Sequence, residues 1–171
     1  MKMPEEDVSV TVVFAAEGRS ALLVDVDAGE DAEIPEGALS VVLRNSAGSR
    51  SEPQSYTGNT LVFIVDENEK NVTFEILGSG FAENGRLAAD FTKNARVTLT
   101  YIAGDIPDSD ASLTGDGVID TADFVRVLHA MEARGAGVNA DVSDADLNFD
   151  GIVAVADLAI VRANLGLSAA K

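Results

Sequence analysis

The 171-residue chain has no cysteine and no tryptophan, and aromatic residues make up only 5% of it. The absence of cysteine excludes disulfide bonds, thiolate zinc sites and a cysteine nucleophile. The chain has a single histidine, His129, and no serine stands near it in the sequence. We therefore assign His129 no catalytic role and expect it on a helix surface, with contact to a partner as the alternative.

Basic residues are scarce as well: 12 Lys and Arg stand against 29 Asp and Glu, so the formal net charge is −17. A nucleic acid or an anionic membrane needs a positive protein face, and the composition argues against both partners. No apolar run approaches the roughly 20 residues that a membrane span requires. Hydrophobic residues nevertheless make up 46% of the chain, which is enough for a packed core.

Residues 8–103 carry the alternation of apolar and polar side chains that is typical of β-strands. We predict short strands at 8–12, 21–26, 39–43, 60–65, 71–77, 87–91 and 95–102, packed as an antiparallel sandwich. The strand at 60–65 is expected to be buried on both faces, and residues 66–70 are expected to form a hairpin. This half offers no catalytic constellation: Asp25 and Asp27 share a strand face, either as paired carboxylates or, more simply, as solvated charges.

From residue 146 the sequence places oxygen-bearing side chains at positions one, three, five and twelve of a loop, with Gly151 at position six. This spacing is typical of a calcium loop, because alternate residues of a tight turn can direct several oxygens at one hard cation. Position seven supplies a backbone carbonyl, and water is expected at position nine, which is Ala154. The predicted ligands are Asp146, Asn148, Asp150, the carbonyl of Ile152, and Asp157.

An earlier segment repeats this pattern: the same 34-residue offset separates Asp116 from Asp150 and Asp123 from Asp157. Such repetition predicts a duplicated loop-helix unit. Counting by spacing gives the first-loop ligands Ser112, Thr114, Asp116, the carbonyl of Val118, Asp120 and Asp123. A second alignment opens the loop at Asp105 and treats 107–114 as an insertion, so that Asp108 or Asp110 could reach the ion. The simpler interpretation of either loop is an Asp/Gly turn with a helix cap.

The stretches ADLNFDGIVAVADLAIVRANLG and GDGVIDTADFVRVLHAM resemble the two repeats of the dockerin module of cellulosome-type systems, over about residues 105–167. The resemblance implies a small helical module with two Ca²⁺ ions, which binds a cohesin domain on a scaffold or cell-surface protein. The preceding half is similar to the Ig-like or transthyretin-like sandwiches (X-module-like) that often precede dockerins. We predict an all-β sandwich at 1–103 and an all-α dockerin module with two EF-hand-like loops at 104–171.

In the family that this segment resembles, the partner contacts loop positions ten and eleven and the helix faces. The resemblance implies a mostly apolar surface, and since the two copies differ, a symmetric two-way binding mode is not expected. Val155 has a buried core position as its alternative. The implied partner-binding residues are Thr121, Ala122, Leu128, His129, Val155, Ala156, Arg162 and Ala163.

These features predict a non-catalytic, calcium-dependent attachment module of an extracellular or cell-surface protein. The segment Met1–Asp7 lacks the apolar core of a secretion signal. It is either a cytoplasmic start or a cut within a longer exported protein, and we favour the second. A calcium-stabilised spacer without a cohesin partner is the alternative function. An enzyme is least expected, since a glycosidase would need two carboxyl groups about 5–10 Å apart in a cleft.

Overall fold

The computed structural model describes residues 13–29, 33–69, 71–83, 86–88, 95–108, 114–135 and 143–169. These residues form eight β-strands, two α-helices and a short 3-10 helix at Ser143–Ala145. No helix among them is long and apolar enough to span a membrane. The elements are β1 (Arg19–Asp27), β2 (Ser40–Asn45), β3 (Gln54–Ser55), β4 (Leu61–Asp66), β5 (Asn71–Leu77), β6 (Gly80–Glu83), β7 (Arg86–Ala88), β8 (Ala95–Ala103), α1 (Thr121–Gly135) and α2 (Val155–Asn164).

The strands form two four-stranded sheets, one in the order β4-β1-β8-β6 and the other in the order β3-β2-β5-β7. The predicted sandwich followed by a small helical module is confirmed. All strand pairings are antiparallel except that of β1 with β8, which run parallel with Leu22 opposite Ala95. The expectation of a purely antiparallel sandwich is therefore wrong at this pair, because alternation along a strand carries no information about its neighbour's direction. The predicted strand at 8–12 lies outside the described residues.

Two details of the predicted strands are wrong. Residues 66–70 do not form a hairpin, because β4 pairs with β1 in one sheet and β5 pairs with β2 in the other, so the segment crosses between sheets. Strand β4 is not buried on both faces: it lies at a sheet edge, and Ile64 is 49% exposed while Leu61 and Phe63 face the core. The short strands β3 and β6 are absent from the prediction.

Each half of the chain has its own core. The sandwich core includes the alternating side chains of β5 (Val72, Phe74 and Ile76), as the sequence predicts. The helical core is formed around Val127 of α1 and Val161 of α2, both fully buried. A side chain of β6, Phe81, belongs to the helical core and not to the sandwich core. The two cores are therefore in contact through a sandwich strand.

Replacement of Phe81 by alanine is expected to destabilise the helical module although the residue lies in the sandwich sequence. Phe81 is 5% exposed, and truncation of a buried phenylalanine costs about 3–5 kcal/mol of the free energy of unfolding. Chemical denaturation followed by far-UV dichroism measures this loss. Phe14→Ala is the matched control, because Phe14 is 87% exposed and its loss should change stability by less than about 0.5 kcal/mol. Equal effects of the two variants would contradict the shared core.

Candidate metal loops and docking face

The helical module is fastened to the last strand of the sandwich. Gly104, with φ of 124°, follows β8 directly, and its N–H donates a hydrogen bond to the Ser79 carbonyl at 3.2 Å. A Cβ at this position would lie a tight 3.2 Å from Ile119 of the helical core, and the positive φ itself favours glycine. At the end of α2, the Asn164 amide donates to the Ala103 carbonyl at 2.8 Å. These contacts fix the position of both loops relative to the sheets.

The second loop is closed by Asp157, which is fully buried in the first turn of α2. Its Oδ1 accepts the N–H of Leu147 at 2.8 Å, and its Oδ2 accepts the N–H of Ala154 at 2.7 Å. One carboxylate thereby joins the second and ninth positions of the loop to the start of the helix. The neighbouring Val153 is buried and anchors the loop in the helical core, as expected.

The remaining predicted side-chain ligands of the second loop are turned toward one another. Asp146 accepts N–H groups of Asp150 at 3.2 Å and Gly151 at 2.8 Å. The Asn148 amide donates to Asp150 at 2.9 Å, and Asp150 also accepts the N–H of Ile152 at 2.8 Å. Positions one, three and five therefore surround the loop interior with carboxylate and amide oxygens, the donor chemistry that Ca²⁺ prefers.

The first loop repeats these bonds, with Asp105 in the role that Asp146 has in the second loop. Asp123 Oδ1 accepts the N–H of Ile106 at 2.8 Å, and its Oδ2 accepts the N–H of Asp120 at 2.7 Å. Asp105 Oδ2 accepts the N–H of Gly117 at 3.1 Å, as Asp146 does from Gly151. The second of the two alignments, with an insertion between Ile106 and Gly115, thus matches the hydrogen bonds.

The other residues considered for the first loop fall in different places. Thr114 precedes Asp116 by two residues, as Asn148 precedes Asp150, so counting back from Asp116 puts it at the third position, and the insertion after Ile106 then ends before Thr114. Asp108 is exposed, whereas Ser112 and Asp110 lie outside the described residues. Asp116 accepts the N–H of Val118 at 2.9 Å, which mirrors the bond from Ile152 to Asp150.

Asp105 is a buried carboxylate that its surroundings leave incompletely satisfied. It is 3% exposed, and its Oδ1 accepts no hydrogen bond from the described residues. Burial, reinforced by the nearby charge of Asp123, raises the pKa of Asp105 to about 7. Burial also raises the pKa of Asp123. Gly115 lies against the Asp105 carboxylate, where a side chain would overlap it. An orphaned oxygen among acidic neighbours fits a bound cation, which would satisfy it and neutralise the repulsion.

Within the described ranges, no three histidine, aspartate or glutamate side chains converge into one compact cluster. The oxygen set of each loop is instead mixed. The first offers Asp105, Thr114, Asp116, the Val118 carbonyl, Asp120 and Asp123; the second offers Asp146, Asn148, Asp150, the Ile152 carbonyl and Asp157. The first loop has a carboxylate at position nine where the second has Ala154. Both sets fit Ca²⁺, which accepts carboxylate, amide, hydroxyl, carbonyl and water oxygens together.

The end of the chain is paired with the exit of the first loop. The Ile119 N–H donates to Leu167 at 2.9 Å, and the Gly166 N–H donates to Ile119 at 2.8 Å. The Ala169 N–H donates to the Gly117 carbonyl at 2.8 Å. This clasp of residues 166–169 on residues 117–119 joins the two repeats. Gly166 has φ of 88° two residues after α2 ends.

All eight residues assigned to partner binding are exposed. Val155 is 70% exposed, which answers the question of whether it is a core residue. Two further apolar side chains are exposed, Ile152 (50%) three residues before it and Leu165 (43%) at the other end of α2, and neither is assigned to partner binding from the sequence. Their exposure has no signal in the sequence, because an apolar residue beside a helix is ordinarily assigned to the core. We define Ile152 and Val155, which lie three residues apart at the start of α2, as the apolar face of the second repeat.

The two sandwich aspartates considered as a carboxylate pair have separate partners. Asp25 accepts hydrogen bonds from Arg96 at 2.6 Å and from the Thr60 hydroxyl at 2.6 Å. The Arg96 guanidinium holds the pKa of Asp25 below its usual value. Asp27 accepts the N–H of Gly29 at 2.9 Å and is exposed. This arrangement is a surface ion pair beside a turn, not an acid–base pair.

Comparison with known proteins agrees with this geometry. The family model of the dockerin type I domain matches residues 113–166. The matched segment contains α1, the second loop and α2, and the sandwich lies outside the match. The chain has no significant match among the curated proteins.

Solved structures match the sandwich and the helical module together. Two are crystal structures of type II cohesin-X-dockerin complexes from Acetivibrio cellulolyticus, a C-terminal and an N-terminal interface mutant. Each aligns with a TM-score of 0.58 over 88% of this chain and 97% of the other, at 17% and 16% identity respectively. The similarity shows that a sandwich followed by a small helical module is a fold that this chain shares with those chains.

Asp105→Asn is expected to stabilise the metal-free protein at neutral pH. Because the pKa of Asp105 rises from 3.8 to about 7 on folding, the folded state holds a proton that the unfolded chain releases between these values. The contribution of Asp105 to the free energy of unfolding is therefore fully present below about pH 4, and it is lost as the pH rises through about 7. Thermal unfolding in a chelator should give the variant an advantage at pH 8 that is smaller at pH 5.

In calcium the parent should be more stable than Asp105→Asn, because the variant lacks a charged ligand. Glu52→Gln, an exposed carboxylate of the sandwich, is the control and should follow the parent at both pH values. The unfolding temperatures of both proteins are compared in chelator at pH 5 and pH 8. A larger rise for the parent than for Asp105→Asn would contradict the burial of this charge.

Proposed function

We propose that this chain is a non-catalytic attachment module whose dockerin domain binds a cohesin domain of a scaffold or cell-surface protein, outside the cell, in a calcium-dependent manner. The observation that carries the proposal is the apolar face of the second repeat, with Val155 70% exposed within a dockerin domain. An apolar patch with a nearby arginine, Arg162, is typical of a protein interface.

Calcium enters the proposal through the two loops. We propose one ion in each loop, held in the first by Asp105, Asp116, Asp120 and Asp123 with Thr114 and the Val118 carbonyl. In the second, the ligands are Asp146, Asn148, Asp150 and Asp157 with the Ile152 carbonyl. Since each loop ends in the first turn of a helix, an ion that draws these oxygens together also fixes the helix that follows it. Ion binding then stabilises the folded module and its docking face together.

The partner surface is proposed to be asymmetric. At loop positions ten and eleven the first repeat presents Thr121 and Ala122, whereas the second presents Val155 and Ala156. Leu128 and His129 on α1 and Arg162 and Ala163 on α2 extend the exposed surface along each helix. The apolar anchor is therefore on the second repeat, and a single orientation of the partner is favoured over two equivalent ones.

The alternative function is a calcium-stabilised spacer without a cohesin partner. Contacts between the modules support it, because Phe81 of the sandwich packs in the helical core and Asn164 bonds to β8. A spacer does not, however, require an apolar face on the side of α2 that stays exposed. That face favours attachment, and binding experiments distinguish the two functions.

Val155→Asp is expected to weaken cohesin binding by about tenfold or more, because a central apolar anchor is replaced by a charge that must be desolvated. The assay is surface capture of the full chain by a panel of recombinant type I and type II cohesins, in calcium and in chelator. Ile64→Asp is the matched control, since Ile64 is 49% exposed on the edge of the sandwich. Chelator should abolish capture of the parent chain.

Thr121→Asp measures the contribution of the first repeat in the same assay. A much smaller loss than that of Val155→Asp is the expected result. Equal losses would indicate that both repeats carry the interface, and failure of every cohesin to capture the parent chain in calcium would leave the spacer as the function.

A further inference from the structure

Phe149 has a backbone conformation that is unusual for its residue type. Among the described residues it is the one non-glycine with a positive φ, at 58°. A side chain makes this left-handed region unfavourable, and such residues persist where the surroundings hold them in place. Phe149 lies at position four of the second loop, between the proposed ligands Asn148 and Asp150. The equivalent position of the first loop is Gly115, which does not have a positive φ and where a side chain would overlap the Asp105 carboxylate.

The side chain of Phe149 has contacts that can hold this backbone conformation. Although it belongs to the helical module, Phe149 packs against the sandwich core. It lines a cleft of about 580 Å³ between the modules together with Ile34 and with Tyr101 of β8. Burial of its ring against the sandwich opposes the unfavourable backbone conformation, so loop geometry and module contact depend on the same residue.

We propose that Phe149 is a positioning residue that links the second calcium loop to the sandwich. It touches no ion itself. Its ring, seated on the sandwich core, holds the backbone turn that directs Asn148 and Asp150 into the loop interior. The proposal rests on the calcium sites of the proposed function and adds to them a contribution from the sandwich to one of the two sites.

The linkage is reciprocal. If the seated ring favours the geometry that binds calcium, then calcium binding must favour the seated ring by the same free energy. The bond from Asn164 to the Ala103 carbonyl holds the helix that follows the loop against β8, so the loop is fixed on both sides. Calcium in the second loop should therefore raise the stability of the sandwich, which contains none of that loop's ligands.

The chain supplies separate spectroscopic reporters for the two modules. It has two tyrosines and no tryptophan, and both tyrosines, Tyr56 and Tyr101, belong to the sandwich. Near-UV dichroism of tyrosine therefore follows unfolding of the sandwich. Far-UV dichroism at a helix band follows the helical module, since the sandwich has no described helix. The two signals can be recorded on the intact chain in calcium and in chelator.

Phe149→Gly tests the proposal, because glycine accepts the positive φ and removes only the ring. We expect this variant to bind calcium at the second loop about tenfold more weakly by calorimetry, which corresponds to about 1.4 kcal/mol. We also expect calcium to raise the tyrosine-reported midpoint less than in the parent. Phe149→Leu should retain most of the effect. Val125→Ala, which removes an exposed apolar group of α1, is the control and should match the parent.

A double-mutant cycle assigns the effect to the second ion. Asp150→Asn removes a ligand of that loop, and combining it with Phe149→Gly should reduce the calcium-dependent rise of the tyrosine-reported midpoint no further than Asp150→Asn alone. Additive losses would overturn the proposal, as would a Phe149→Gly variant that binds calcium and shifts both midpoints like the parent. Those outcomes leave cohesin capture by the parent intact, whereas a parent that binds no calcium overturns the proposed calcium sites as well.

Discussion

One carboxylate in each repeat holds the helical module together. Asp123 and Asp157 stand in the first turn of α1 and α2, and each accepts one N–H from the beginning and one from the end of its own loop, at 2.8 and 2.7 Å. An anion is favoured at a helix N-terminus, where the unpaired N–H groups and the dipole carry positive charge. Through these bonds Ile106 and Leu147 enter the helical core. Loop, helix and core therefore form one unit in each repeat.

The sequence predicts this unit well where spacing is intact and poorly where it is interrupted. The second loop follows a fixed twelve-residue pattern, so every residue of its proposed site could be named. In the first loop an insertion separates Asp105 from Asp116, so spacing alone leaves both Ser112 and Asp105 open as position one. The sequence signal that could identify the start of the first loop is an aspartate followed by an apolar residue. Asp105-Ile106 has this pattern, as Asp146-Leu147 does in the second loop. Only the hydrogen bonds to Asp123 show which pair is equivalent.

The sandwich shows a similar division between local and distant information. Alternation along β5 and β8 predicts the buried face of each strand, because that face depends on the residue's own side chain. It does not predict the partner strand, so the crossing at 66–70 was interpreted as a hairpin. Strand β3 has two residues and no pattern to detect. In β6, Phe81 packs in the helical core of the other module. No pattern within the strand can indicate this contact.

The clasp between residues 166–169 and residues 117–119 has a consequence for how the chain folds during synthesis. It joins segments about 50 residues apart, so closure of this small helical module depends on contacts of high sequence separation, which slow folding. Domains emerge and fold from the N-terminal side. The sandwich is therefore complete while the first loop still lacks the strand segment that pairs with its exit. Phe81 stays without its helical neighbours until then, and the order of synthesis makes the sandwich the template on which the last repeat is assembled.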